Sequence, residues 1–303
     1  MLLAGLFIAL AFQAIAAQTA EERAVDYLAR EVPRWFRENQ CFSCHNNGDG
    51  ARALYAASRR GYQVPQDALA GTTRWLMAPG KWDDNRSNPA FSDKKLARIQ
   101  FAASLAQAYE SGFIHDTEAL IQAAESLLPY QATDGSWQVD GGENAGSPAT
   151  YGTALATYMA RRILKTAGSG RFADEISRAN EWFLAAKPRS ILDAAAMLLA
   201  MPDAAYADTV LAAQTSDGGW GPQVHAPAEA FDTAVVLLAL QGMNEPDRTR
   251  DAIARGRAFL MAAQEPSGGW PETTRPPGAQ SYAQHISTSG WAALALVATG
   301  AER

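Results

Sequence analysis

Cys41, Phe42, Ser43, Cys44 and His45 stand in a row, and Cys41 and Cys44 are the only cysteines of the 303-residue chain. A Cys-x-x-Cys-His run is the attachment signature of a c-type haem. The two thiols add across the porphyrin vinyl groups as thioethers, and the adjacent imidazole becomes the proximal iron ligand. Two intervening residues let both sulfurs reach one edge of the macrocycle while the next side chain swings beneath the metal. The expectation is one covalent haem c per chain, anchored by Cys41 and Cys44 and ligated by His45. Two other chemistries use the same residues. The thiols could close a Cys41–Cys44 disulfide with His45 incidental. They could instead join His45 on zinc, with the fourth tetrahedral ligand unidentified.

Compartment bears on that choice. Met1 to Phe12 is apolar, Ala14-Ile15-Ala16 fits a small-residue cleavage site, and Gln18 to Glu22 turns abruptly polar. The pattern predicts a signal peptide over 1–17, although no Lys or Arg precedes the apolar stretch. An uncleaved anchor is the other reading, but about 16 apolar residues are short for a bilayer. Nothing later is long and apolar enough to span one, so a periplasmic or secreted protein is expected. Export is also where c-type haem is attached in bacteria. The net charge of −6, with no block of Lys and Arg, argues against nucleic acid or anionic lipid as the main partner.

The elements that must position these residues are helical. Roughly 285 residues after the leader suffice for one large domain, placed at 21–300. Three segments repeat: Gln131 to Trp137, Gln214 to Trp220 and Gln264 to Trp270, each a Gln, a Gly-bearing turn and a Trp. Weaker copies fall at Leu76 to Trp82 and Leu184 to Ser190, and Gln40 puts the cysteine motif in the turn of the first copy. Glycine closes the preceding helix, Asp or Ser bonds turn amides, and the Trp ring staples neighbouring repeats, so these residues are scaffold. Outer helices are expected at 21–38, 65–78, 115–130, 171–186, 203–214 and 247–264. Ala-rich inner helices, apolar on most faces, are expected at 49–60, 93–110, 149–164, 190–201, 229–242 and 286–298. Pro33 should bend or restart the first. Almost no segment alternates as a strand does. The fold class is all-α, an α/α toroid of six hairpins.

These repeats resemble the QW motifs of the squalene-cyclase and prenyltransferase superfamily, and the first turn resembles that of a c-type cytochrome. The toroid resemblance covers most of the chain and implies a central, largely apolar cavity able to hold a terpenoid or another lipid. Its chemistry does not carry over on residues. Class II cyclases of that family use a DxDD acid, and no such string occurs; the nearest acids are Asp83-Asp84 and the lone Asp232. Its protein prenyltransferases hold zinc through Asp, Cys and His from separate repeats, and no cysteine lies outside 41–45.

Outer-to-inner turns share one end of such a ring, which places the haem motif at the QW end. Ring closure brings the sixth hairpin beside the first, so His285 ranks first as a distal iron ligand, then Met77, then His225. His115 lies at the opposite end. The loops 141–148 and 273–278 are candidates to cover the haem or the cavity mouth. Lys94, Lys95 and Arg98 read as a solvated helix start, not a docking face. The chain is therefore read as an exported haem protein in electron transfer or haem redox chemistry, with a redox partner protein and a hydrophobic small molecule in the cavity as expected partners. The alternative is a haem-free toroid that binds a lipid, terpenoid or peptide and carries the disulfide.

Overall fold

The computed structural model describes residues 18–85, 94–139, 145–243, 245–275 and 281–301; the segment 1–17, expected to be a signal peptide, lies outside them. Among these residues the secondary structure is helical throughout. The outer helices are α1 (Ala20–Asn39), α3 (Gln66–Leu76), α5 (Glu118–Glu125), α7 (Ala173–Ala185), α9 (Ala204–Ala212) and α11 (Pro246–Ala263). The inner helices are α2 (Ala51–Arg59), α4 (Lys94–Glu110), α6 (Thr153–Gly168), α8 (Ile191–Ala200), α10 (Ala230–Gly242) and α12 (Tyr282–Thr299). Each inner helix packs on the next, and α12 packs on α2, so the ring closes. No described helix is long and apolar enough to cross a membrane.

Composition explains which helices go inside. The middle of α10, Ala234 to Leu237, has no solvent-exposed surface at all, because a helix apolar all round is stable only when covered on every side. The outer helices bury one stripe; in α7 only Ile176, Ala179 and Phe183 are fully inside. Thr19 and Glu22 form a capping box at the start of α1, each bonding the other's backbone N–H, which satisfies two amides left open at a helix start. Contrary to expectation, α1 is not restarted by Pro33 and continues as one helix to Asn39. Asn46 and Asn47 donate to the Glu31 and Val32 carbonyls just before that proline.

The QW turns repeat one bonding scheme three times. Gln131, Gln214 and Gln264 each donate through Nε2 to a glycine carbonyl in their own turn and to a carbonyl on the next outer helix: Glu175, Ala252 and Ala20. Arg178, Arg255 and Arg23 of that next helix return a bond to the same glutamine's Oε1. The indoles of Trp137, Trp220 and Trp270 donate to Leu127, Val210 and Leu260 carbonyls at 2.7–2.9 Å. The third copy bonds α11 to α1, so it joins the chain's two ends. Gly135, Gly218 and Gly268 sit at φ of +93, +92 and +97°, a region that costs any residue with a Cβ.

That geometry yields a test. A Cβ on Gly268 would also lie 2.4 Å from the Arg23 carbonyl oxygen. Gly268→Ala should therefore lose about 1–3 kcal/mol and lower Tm by several degrees. Gly80→Ala, where nothing lies within 4 Å of the added carbon, should stay within about 0.5 kcal/mol. Equal melting of the two variants would contradict the account.

Candidate functional site

The Cys-x-x-Cys-His segment is not an open turn. Cys44 to Gly50 winds as a π-helical turn that runs directly into α2, so His45 belongs to the first turn of an inner helix. Ser43 caps that turn by accepting from the His45 and Asn46 amides. Asn47 fastens it from both sides, accepting from Ser43 N at 2.9 Å and donating to Thr72 Oγ1 at 2.8 Å. Asn85, a residue that nothing in the sequence pattern singled out, clamps Phe42 by accepting from its N–H and donating to its carbonyl.

Cys41 is buried and Cys44 is half-buried. The Trp35 indole donates to Cys41 Sγ at 3.3 Å. Phe42 stacks between Phe36, at 4.5 Å, and Trp75, at 4.6 Å, while Trp35 stacks on Tyr282. Aromatic faces from α1, α3 and α12 thus lie beside the thiols. Spacing alone did not reveal this, because Trp75 and Tyr282 come from the second and sixth hairpins.

His45 points inward. Its Nδ1 lies 2.7 Å from Ser287 Oγ on α12, and Ser287 in turn donates to Asp49 Oδ2 at 2.7 Å. Asp49 Oδ2 also accepts from Gln100 at 2.7 Å, and Oδ1 accepts from the Tyr151 hydroxyl. A buried carboxylate needs donors of this kind on both oxygens. Burial lowers the His45 pKa, with Asp49 pulling the other way, and burial raises that of Tyr151 well above the ordinary phenol value. Tyr151 therefore stays a neutral donor. Its backbone is left-handed at φ +56°, a strained conformation for a bulky residue, and that turn delivers the hydroxyl to Asp49.

The other candidate ligands lie elsewhere. His285, two residues before Ser287, faces outward, with Nε2 3.7 Å from Glu265, Nδ1 3.4 Å from Glu272, and Tyr27 edge-on at 6.0 Å. Positions two apart on a helix face nearly opposite ways. Met77 caps α3 and is 37% exposed, His225 occupies an exposed left-handed turn, and His115 is exposed. Among the described residues no three or more His, Cys, Asp and Glu side chains gather as a metal cage, so the zinc alternative still lacks its remaining ligands. Arg98, read in sequence as part of a solvated helix start, is instead largely covered and pairs with Asp83 at 2.5 Å.

Beneath the Asp49 cluster the ring is plugged. Trp291 of α12 takes Tyr151 and Phe231 edge-on, each at 5.6 Å, and the Arg52 guanidinium lies 3.9 Å over its ring. Below this plug a cavity of about 630 Å³ extends among the C-terminal halves of the inner helices. Its mouth, at Arg59 and Arg60, is at the end opposite the QW turns. The described parts of the two loops, 145–148 and 273–275, are at the other end; 140–144 and 276–280 lie outside the described residues.

The comparisons agree with this architecture. The type II terpene cyclase MstE from Scytonema superposes with a TM-score of 0.56 at 13% identity, covering 92% of this chain and 98% of that one. Its variant in complex with geranylgeranyl dihydroxybenzoate gives 0.53. The fold is that of a terpene-cyclase toroid. A polysaccharide lyase matches comparably, with a TM-score of 0.51 over 93% of this chain and 97% of that one at 14% identity, so the fold does not fix the reaction. In sequence, a squalene–hopene cyclase of Bradyrhizobium diazoefficiens is 38% identical over 77 residues, 22% of this chain and 11% of that protein. The chain thus matches about a tenth of that relative's length. No family profile matches.

Asp232 stands in the first turn of α10 without exposed surface. It shares the Arg275 guanidinium with Glu229. Burial pushes its carboxyl up to about 7 against the pull of Arg275, and the like charge of Glu229 adds to the rise. In the unfolded chain the same carboxyl titrates at its ordinary value of 3.8. Between about pH 4 and about pH 7 only the unfolded chain gives up this proton, so stability falls as pH rises through that window. Urea unfolding at about pH 4 and about pH 8 should therefore show less loss of stability in Asp232→Asn than in the wild type. An unchanged slope would mean Asp232 is ionised throughout.

Proposed function

We propose that this chain is an exported c-type haem protein built on a terpene-cyclase toroid and that it works in electron transfer. The supporting observation is the relay His45 Nδ1, Ser287 Oγ, Asp49 Oδ2. A histidine ligand whose one ring nitrogen is held by a hydrogen bond offers the other to a metal in a fixed orientation. Ser287 holds the Nδ1 proton, so Nε2 is the nitrogen that remains. Cys41 and Cys44 supply the two thiols of the attachment motif, beside the aromatic faces of Trp35, Phe36, Phe42 and Trp75. The donor set therefore fits a covalent haem in kind and in tautomer. When bound, the group supplies a one-electron iron couple whose potential follows its axial ligand and that ligand's hydrogen bonds.

The plug favours electron transfer over oxidation of a molecule in the cavity. Tyr151, Trp291, Phe231 and Arg52 stand between His45 and the cavity, so a cavity ligand is kept from the proximal residues. The second reading is a haem-free binding toroid with a Cys41–Cys44 disulfide. The cavity itself is what favours it.

Protein exported from a host with c-type haem maturation should show a Soret band and sharp reduced α and β bands that survive acid–acetone extraction. Cys44→Ser should lose the covalent chromophore. A colourless, folded protein from that host would sink the haem reading and leave the binding toroid. In the holoprotein, Ser287→Ala removes the acceptor that makes His45 electron-rich, so the reduction potential should rise. An unchanged potential with intact bands would show that the relay does not act on His45.

A further inference from the structure

We propose that the cavity below the plug is a binding site for an apolar carboxylate, with Arg52 as the residue that receives its head. This site does not rest on the haem reading. It uses none of the residues of the attachment motif and lies at the other end of the ring.

Arg52 lines the cavity and is 2% exposed. Its Nη1 contacts only the Met159 sulfur, at 3.6 Å, and its plane lies over Trp291. Among the described residues, Nε and Nη2 are buried without a hydrogen-bond partner. Those two N–H groups form one edge of the guanidinium, and that edge is the one that matches the two oxygens of a carboxylate. A buried donor left unpaired is costly, and here two adjacent donors face the same need. Asp49, one turn earlier, offsets the charge through the low-dielectric interior. It is not the acceptor of that edge: the bonds to its oxygens come from Tyr151, Gln100 and Ser287.

The rest of the cavity suits the remainder of such a molecule. Leu198, Leu238, Leu294 and Val297 form its wall. Arg52 and Arg59 are seven residues apart on α2, so the apolar stretch between them is about 10 Å deep. Four arginines and one glutamate line the cavity, in a chain whose net charge is −6. At the mouth Arg162 pairs with Glu110 and Arg60 reaches the Ala298 carbonyl, where they also offset the negative C-terminal ends of the inner helices. The surplus positive charge draws an anion to the opening, and the apolar wall admits a hydrocarbon body. A neutral terpene would leave the Arg52 edge as it is.

The test compares dodecanoate, methyl dodecanoate and dodecanol by calorimetric titration into the purified full chain, with Trp fluorescence as a second readout. Dodecanoate should bind at least about tenfold more tightly than the ester or the alcohol, a difference of about 1.4 kcal/mol. Arg52→Gln should remove that preference and leave ester binding within about twofold. The wild-type comparison stands even if the variant fails to fold. Equal affinity for acid and ester, or no binding of the acid, would overturn the proposal. A preference for the acid that persists in folded Arg52→Gln would also overturn it, by moving the anion to the mouth arginines. A colourless protein that still prefers the acid would refute the haem reading alone.

Discussion

The buried carboxylate of Asp49 sets conditions that the centre of this ring must meet. It is 1% exposed and would cost several kcal/mol if ionised without partners. Its donors come from three other places in the chain: Gln100 on α4, Tyr151 before α6 and Ser287 on α12. Those helices can meet at one carboxylate only in one register. Close approach there requires small residues: a Cβ on Gly48 would lie 2.9 Å from Gln100 Cβ, and one on Gly290 would lie 2.8 Å from the Asp49 carbonyl oxygen. The strained backbone of Tyr151 persists because the hydroxyl it delivers is needed. His45 is oriented by the same cluster, through Ser287.

The rim is held by a different device. Three Gln–Trp turns bond α5 to α7, α9 to α11 and α11 to α1. The first turn departs from this scheme. Gln40 donates only to carbonyls of its own helix, Phe36 and Arg37, and the place of the Gln–Trp clamp is taken by the cysteine motif, docked by Asn46, Asn47 and Asn85. One scaffold joint has been exchanged for a segment able to do chemistry, and asparagine side chains replace the bonds that were lost.

The two ends of the ring consequently differ in character. The end bearing Cys41, Cys44 and His45 is aromatic and polar, with its hydrogen bonds directed at one carboxylate. The other end opens on a cavity lined by leucines and arginines. The Trp291 layer between them separates whatever each end binds. Both a terpene cyclase and a polysaccharide lyase share this architecture, so the fold supplies the ring and local residues supply the function.

The repeat of Gln, Gly and Trp, together with Ala-rich segments of helical period, was enough to read six hairpins, their inner and outer assignment and the ring. Those are local properties: a helix apolar on all sides must be covered, and a left-handed turn needs glycine. The five residues from Cys41 to His45 likewise narrow the chemistry by spacing alone, to haem attachment, a disulfide or zinc. What tertiary structure decided is which distant side chains meet. Nothing local in Ser287, Gln100 or Tyr151 marks them as partners of Asp49, since they lie between 51 and 238 residues away. The outward face of His285 and the inward face of Ser287 follow from how α12 packs between α1 and α2. The mouth of the cavity, expected at the QW end, lies at the other because the Tyr151, Phe231 and Trp291 side chains fill the ring on that side. Arg52 reads in sequence as an ordinary helix arginine, and only closure of the ring buries it with one edge unpaired.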